Sequence, residues 1–106
     1  MARYAARIDA NQVEIVDALR KAGGMVQHLH RVGQGCPDIL VGFRGVNLLF
    51  EIKDGAKSPS EQKLRAAQAE WHDAWRGQVA VVTSAEEALA ALYAAPQEVP
   101  FYGSIM

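Results

Sequence analysis

The sequence has one cysteine, Cys36, so no internal disulfide can form and the fold must be held by its core. Cysteine usage of this kind makes a reducing cytoplasm the default compartment, and nothing at the N-terminus reads as a secretory signal. No apolar run approaches the roughly 20 residues that a spanning helix needs, so no membrane partner is expected. An excess of one charge is missing too. Eleven Lys+Arg face twelve Asp+Glu, a formal net charge of −1, so no global positive field recommends nucleic acid and any such affinity must be local. The chain has no internal repeat, no low-complexity stretch and no separate sequence-reading module such as a helix-turn-helix, and no organic cofactor is expected.

What is present is the composition of a folded domain. Half of the 106 residues are hydrophobic and 22% are charged, which fits one domain over residues 1–106 with a core of about 10–94 and a tail of 95–106. Asp9 and Gln12 have capping-box spacing, and Val13, Ile15, Val16, Leu19 and Ala22 then recur at helical intervals until Gly23-Gly24, predicting a helix over about 10–22. A short strand is expected over 25–30. The turn-rich Gly33-Gln34-Gly35-Cys36-Pro37 leads into two apolar runs, 38–43 and 47–53, that read as hairpin strands covered on both faces. A helix is expected through about Trp75, starting at Ser58 or nearer Leu64; a strand over 79–82 and a helix over 85–94, capped by Ser84 and Glu87, complete the order α-β-β-β-α-β-α. The fold class is α/β.

The chemistry concentrates in the hairpin. Asp38 follows Pro37, and Glu51 and Lys53 stand two apart on the next strand, a pattern that arises by chance in about one chain per hundred. Geometry therefore has to carry the case. Strand side chains alternate, so Glu51 and Lys53 share a face while Ile52 points to the other. A two-residue turn at Gly45-Val46 pairs Arg44 with Asn47, setting Asp38 opposite Lys53 and Leu40 opposite Glu51, all on that face. Two readings of the triplet stay open: a salt bridge at the end of the sheet, or a site for a hard cation, Mg²⁺ or Mn²⁺, held by Asp38, Glu51 and the Ile52 backbone carbonyl. In the second, Lys53 orients water or offsets charge at a phosphate, and phosphodiester hydrolysis is the natural reaction.

Gly35-Cys36-Pro37-Asp38, the Glu51-Ile52-Lys53 strand, the element order, and Gln68 through Trp75 followed by Gly77 and Val79-Ala80-Val81-Val82 resemble the PD-(D/E)xK nucleases, and more narrowly the small stand-alone VRR-NUC domains of phage and bacterial origin. The resemblance spans about residues 10–92. It implies a restriction-endonuclease-like αβββαβ core, a mixed central sheet flanked by helices, with Asp38 and Glu51 as metal carboxylates, Lys53 as the catalytic lysine and Gln68 as a helix glutamine facing the site. It also implies that Glu14 of the first helix is brought toward the metal, against the plainer reading of a solvated carboxylate. Relatives usually open the second helix with a Thr-Pro type start, where this chain has Arg65-Ala66-Ala67. Leu64, Gln68, Trp71 and Trp75 fall on one helical stripe, so Gln68 needs a polar partner, at the site or at the backbone.

Arg31, Arg44, Lys57, Lys63 and Arg65 lie in loops or helix ends near the proposed site, where they either track DNA phosphates or form solvated charge. His28 and His30 make a poor zinc site and suit DNA contact or packing, and Cys36 reads as a small filler. Two functions compete. The first is a metal-dependent endonuclease on DNA, expected from the resemblance to act as a homodimer on branched substrates such as four-way junctions; the second is a non-catalytic nucleic-acid-binding or interaction module of the same fold. Val99 to Met106, with Phe101, Tyr102 and Ile105, is too short for a core of its own and either covers a neighbouring subunit or folds back.

Overall fold

The computed structural model describes residues 10–95; Asp9 and the tail beyond Ala95, including the stretch proposed for a subunit contact, lie outside them. The elements are α1 (Gln12–Lys21), β1 (Met25–His28), β2 (Ile39–Phe43), β3 (Val46–Ile52), α2 (Pro59–Gln62), α3 (Ala66–Ala74), β4 (Val79–Val82) and α4 (Ala85–Ala94). One four-stranded sheet has the order β1-β2-β3-β4. The first two pairings are antiparallel and β3 with β4 is parallel, which requires the crossover that α2 and α3 supply. The mixed α/β sheet expected from the sequence is therefore present.

One face of the sheet carries the core. Val26, Ile39, Val41, Phe43, Leu48, Phe50, Ile52 and Val82 meet Ile15, Val16 and Leu19 of α1 and Ala88 and Leu92 of α4 in one buried cluster. Each of these strand residues is an alternate position, as the period of two demands. Val13, expected in the same helical row, is exposed instead, because it lies about 100° round the helix from the buried side. Gly23 and Gly24 end α1 by donating their N–H groups back to the carbonyls of Arg20 and Leu19.

The opposite face corrects the expectation of strands covered on both sides. Among the described strands, β3 is buried on both faces from Leu48 to Ile52; β1, β2 and β4 show half-exposed or exposed residues there, with Met25 at 74%. The reason is the placement of helices. Both long apolar helices lie on the core face, and α3 has Gln68 as its sole buried residue.

The second helix is also two pieces. Ser58 and Glu61 form the expected capping box, but the turn ends after Gln62, whose amide bonds the Gly55 and Lys57 carbonyls, and Lys63 and Arg65 are extended. Leu64 thus lies outside the stripe of α3. Strand β1 stops at His28, short of the predicted His30. At the start of α1 the cap residue is Asn11, and Gln12 is turned inward to bond His28 Nδ1 at 3.3 Å.

The hairpin turn is Arg44-Gly45 and not Gly45-Val46. Phe43 pairs with Val46 and Ile39 with Phe50, one step from the expected register on each strand. Both turn residues have positive φ, 50° and 84°, which is the geometry of a two-residue I′ hairpin and excludes a β-branched valine from the turn. Parity is unchanged, so the residues expected on one face remain on it. Gly45→Val is expected to lower stability by roughly 1–2 kcal/mol, the cost of forcing a β-branched residue into the left-handed region, seen as a shift in the urea unfolding midpoint with unchanged slope.

Candidate active site

Extending the observed pairing one step past Ile39 and Phe50 brings Asp38 across from Glu51, rather than from Lys53 as expected. Two bonds then fix Asp38 at the mouth of the hairpin. Its N–H donates to the Phe50 carbonyl at 3.0 Å, and its Oδ2 accepts the Ile52 N–H at 2.7 Å. A residue's N–H and C=O point to the same side of an extended strand. The Ile52 carbonyl therefore faces the side on which the Asp38 carboxylate sits, beyond the start of β2.

Glu51, Lys53 and Gln68 are buried polar residues, 2%, 8% and 9% exposed. Groups of this kind are costly unless paired, and here they pair with one another. Lys53 Nζ lies 3.4 Å from Glu51 Oε2 and donates to Gln68 Oε1 at 2.9 Å. Gln68 Nε2 donates to Glu51 Oε2 at 3.0 Å, and Gln68 Oε1 also accepts the Arg65 N–H at 2.9 Å. These contacts define the amide orientation: the reverse flip would set an NH₂ against an ammonium and a backbone N–H. Gln68 thus has two roles, closing the first turn of α3 and holding the lysine beside the glutamate.

That network leaves one atom out. Glu51 Oε1 is buried and has no hydrogen-bond partner among the described residues. Burial first, and then the charge of Asp38, push the Glu51 carboxyl up to about 7, against the pull of Lys53 in the other direction. With both carboxyls ionised, two negative charges would face one ammonium, which, after burial, is why Glu51 holds its proton to a higher pH. A plain salt bridge with Lys53 would leave Glu51 Oε1 unmet; a proton shared with the Asp38 carboxyl, whose side-chain hydrogen bond adds to the rise, or a cation between the carboxylates would meet it.

The loop before Asp38 is shaped against α3. A Cβ on Gly35, whose φ is +83°, would stand 2.2 Å from the Ala67 carbonyl oxygen, so only glycine lets the loop approach the first turn that carries Gln68. Burial raises the Cys36 thiol above its ordinary range, and Glu51 and Asp38 push it further, so it stays protonated.

Asp38, Glu51, Lys53 and Gln68 are thus brought together, and Ile52, the last residue of β3, lies between Glu51 and Lys53. Glu14 is not. It is exposed on the side of α1 turned away from the sheet, in a groove with Val13, Asp17 and Lys21, and α1 itself lies on the core face, opposite Glu51. Of the basic residues, Lys57, Lys63 and Arg65 are exposed in the crossover that leads from Lys53 to Gln68, and Arg31 is exposed in the loop that ends at Asp38. Arg44 is the exception: it occupies the turn at the far end of β3, its guanidinium 4.8 Å from the Phe43 ring centre and 5.8 Å from that of Tyr93.

Two residues join the picture that the sequence did not single out. Asn11 donates through Nδ2 to the carbonyls of Lys53 at 3.0 Å and Thr83 at 2.9 Å, tying the start of α1 to the ends of β3 and β4. His72, one turn beyond Gln68 on α3, has a buried Nε2 with no hydrogen-bond partner among the described residues. Burial, and then the charge of Lys53, lower its pKa. The available signal was its spacing of four from Gln68.

The raised Glu51 pKa has a definite sign in stability. Glu51 ionises near 4.5 in the unfolded chain and near 7 in the fold, so its contribution is fully present below pH 4.5 and is lost as pH rises through 7. Relative to Glu51→Gln, which cannot ionise, the wild type in chelator is expected to lose stability between pH 4.5 and 7 and to run parallel above 7. Denaturant unfolding of both proteins across that range checks it; parallel profiles throughout would contradict the burial of an ionising Glu51.

No family model and no curated protein matches the chain. A solved structure described as "VRR_NUC domain" is similar to it with a TM-score of 0.61 at 23% identity, covering 83% of this chain and 100% of that one. The fold of this chain, with its mixed sheet and the crossover through α3, is that of a VRR_NUC domain.

Proposed function

We propose that the protein is a metal-dependent endonuclease that hydrolyses DNA phosphodiester bonds. The observation that carries this reading is the buried Glu51 carboxylate, paired on one oxygen by Lys53 and Gln68, unmet on the other, and set beside Asp38. The similarity to a solved VRR_NUC domain supports it at the level of fold.

Asp38, Glu51 and the Ile52 carbonyl are the groups that would hold the cation. A hard ion such as Mg²⁺ or Mn²⁺ takes one or two carboxylates and keeps waters for the rest, so it does not require a cluster of three His, Cys, Asp or Glu, and none occurs among the described residues. Such an ion supplies polarisation of the scissile phosphate and a lowered pKa for bound water. The chain's own contribution is placement. Lys53, oriented by Gln68, presents its charge to a phosphate at the open mouth of the hairpin or orients the attacking water, while Ile52 anchors the strand from the core side. Hydrolysis forms a bond from the water oxygen to phosphorus, breaks a phosphorus–oxygen ester bond, and returns a proton to the leaving sugar oxygen.

The substrate in this reading is branched DNA, of the Holliday-junction type. Arg31, Lys57, Lys63 and Arg65 flank the mouth of the site and would track phosphates locally in a chain of net charge −1. One site per chain and two strands to cut argue for a homodimer, since two-fold closure is the simplest way to present a second site. A cytoplasmic setting, in a bacterial or phage-infected cell, accompanies this role; among the described residues no helix is long and apolar enough to cross a membrane.

The test is incubation with end-labelled duplex, flap, single-stranded and four-way-junction DNA, with Mg²⁺, Mn²⁺ or chelator. Metal-dependent cleavage of the junction on both strands in one binding event is expected, and Asp38→Ala, Glu51→Ala and Lys53→Ala should each lower it by roughly 10²-fold or more. Nicking of one strand per encounter would count against the dimer. Binding without cleavage of any substrate would favour a non-catalytic module, and wild-type rates in all three variants would remove these residues from the chemistry.

A further inference from the structure

His72 is the buried polar group that the proposed chemistry leaves unused. It sits four residues after Gln68, so both project from the same side of α3, and Gln68 is in direct contact with Lys53 and Glu51. Its Nε2 is buried and unpartnered among the described residues, and its ring is held edge-on to Trp71 with centroids 5.7 Å apart. Lys53 is the charged group that acts on it. A buried ring nitrogen with no partner calls for a functional explanation, and one sealed from solvent cannot itself touch a phosphate.

The Lys53 ammonium carries three N–H donors. Gln68 Oε1 takes one, and Glu51 Oε2, at 3.4 Å, is the second partner. The second is the less secure, because a cation bound to Glu51 competes with Lys53 for the same carboxylate charge. A replacement partner suited to catalysis has to be neutral: another carboxylate would cancel the charge that Lys53 is there to present, and an imidazole nitrogen would not.

We infer that His72 is a positioning residue of this site, its unprotonated Nε2 accepting a hydrogen bond from the Lys53 ammonium, directly or through one ordered water, so that Lys53 stays oriented with its charge intact when Glu51 turns to a cation. The inference rests on the nuclease reading for its purpose, and for its substance on a buried, unpartnered Nε2 carried one turn beyond the glutamine that holds Lys53. The imidazole is then the tautomer with the proton on Nδ1. His72 acts through Lys53 and has no contact with the reacting atoms.

The two parts are tested separately. Nitrogen-15 NMR of the imidazole in the full chain is expected to show a bare, accepting Nε2 whose resonance moves in Lys53→Met; a protonated Nε2, or one indifferent to Lys53→Met, would overturn the inference whatever the protein cleaves. In the DNA cleavage assay, His72→Phe keeps the ring shape without the acceptor and is expected to lower kcat about tenfold or more with KM unchanged, the loss of one hydrogen bond to a charged group. His72→Gln, which returns an acceptor at similar reach, should recover most of it. Full activity in a folded His72→Phe would overturn the inference, and so would equal loss in the Phe and Gln variants with both folded. If His72→Phe fails to fold, the Gln variant and the NMR arm decide. A wild type that cleaves nothing would instead overturn the nuclease reading and leave the NMR arm to judge the contact.

Discussion

The structure of this site depends on how one glutamine side chain is connected. Gln68 Oε1 accepts from Lys53 Nζ and from the Arg65 N–H while its Nε2 donates to Glu51 Oε2, so a single amide joins the only well-buried residue of α3 to Glu51 of β3 and to Lys53 just past its end. An apolar residue at position 68 would leave a buried ammonium and a carboxylate with one partner fewer each and would unfasten the start of the helix. The polar contact is also what attaches α3 to the sheet, since the long apolar helices α1 and α4 lie on the other face. Fold and candidate chemistry therefore share one set of bonds.

The hairpin was the most legible part, because its information is parity. Asp38, Glu51 and Lys53 share a face in any register that keeps the alternation, so misplacing the turn by one residue moved Asp38 from Lys53 to Glu51 without separating the three. The turn itself was misread because Gly45-Val46 and Arg44-Gly45 are equally short; the demand for positive φ at both positions, which a valine does not tolerate, distinguishes them. Gln68 was legible as a polar residue in an apolar stripe, and its partners turned out to be the site itself.

What was not legible depends on which elements cover which face. Uniformly apolar β2 and β3 suggested cover on both sides, yet the second face is only partly covered, and Met25, Val81 and Trp75 remain exposed. Val13 and Glu14 carried plausible roles in the helical pattern, but α1 lies on the side of the sheet opposite Glu51 and turns both outward. Arg44 is near Asp38 in sequence and a full strand length away in space. His72 was hidden because histidines on helices have many uses, and only the burial of its unpartnered Nε2 marks this one.

The central proposal is that Asp38 and Glu51 hold a divalent cation, and metal binding measures it most directly. In a titration of Mn²⁺ followed by electron paramagnetic resonance at pH 6 and pH 8, a Glu51 carboxyl raised to about 7 must give up its proton to the metal. The wild type should therefore bind more tightly at pH 8 and release a proton on binding at pH 6, and Glu51→Gln should lose most of the affinity at both. Absence of binding, or equal affinity in Glu51→Gln, would contradict the account.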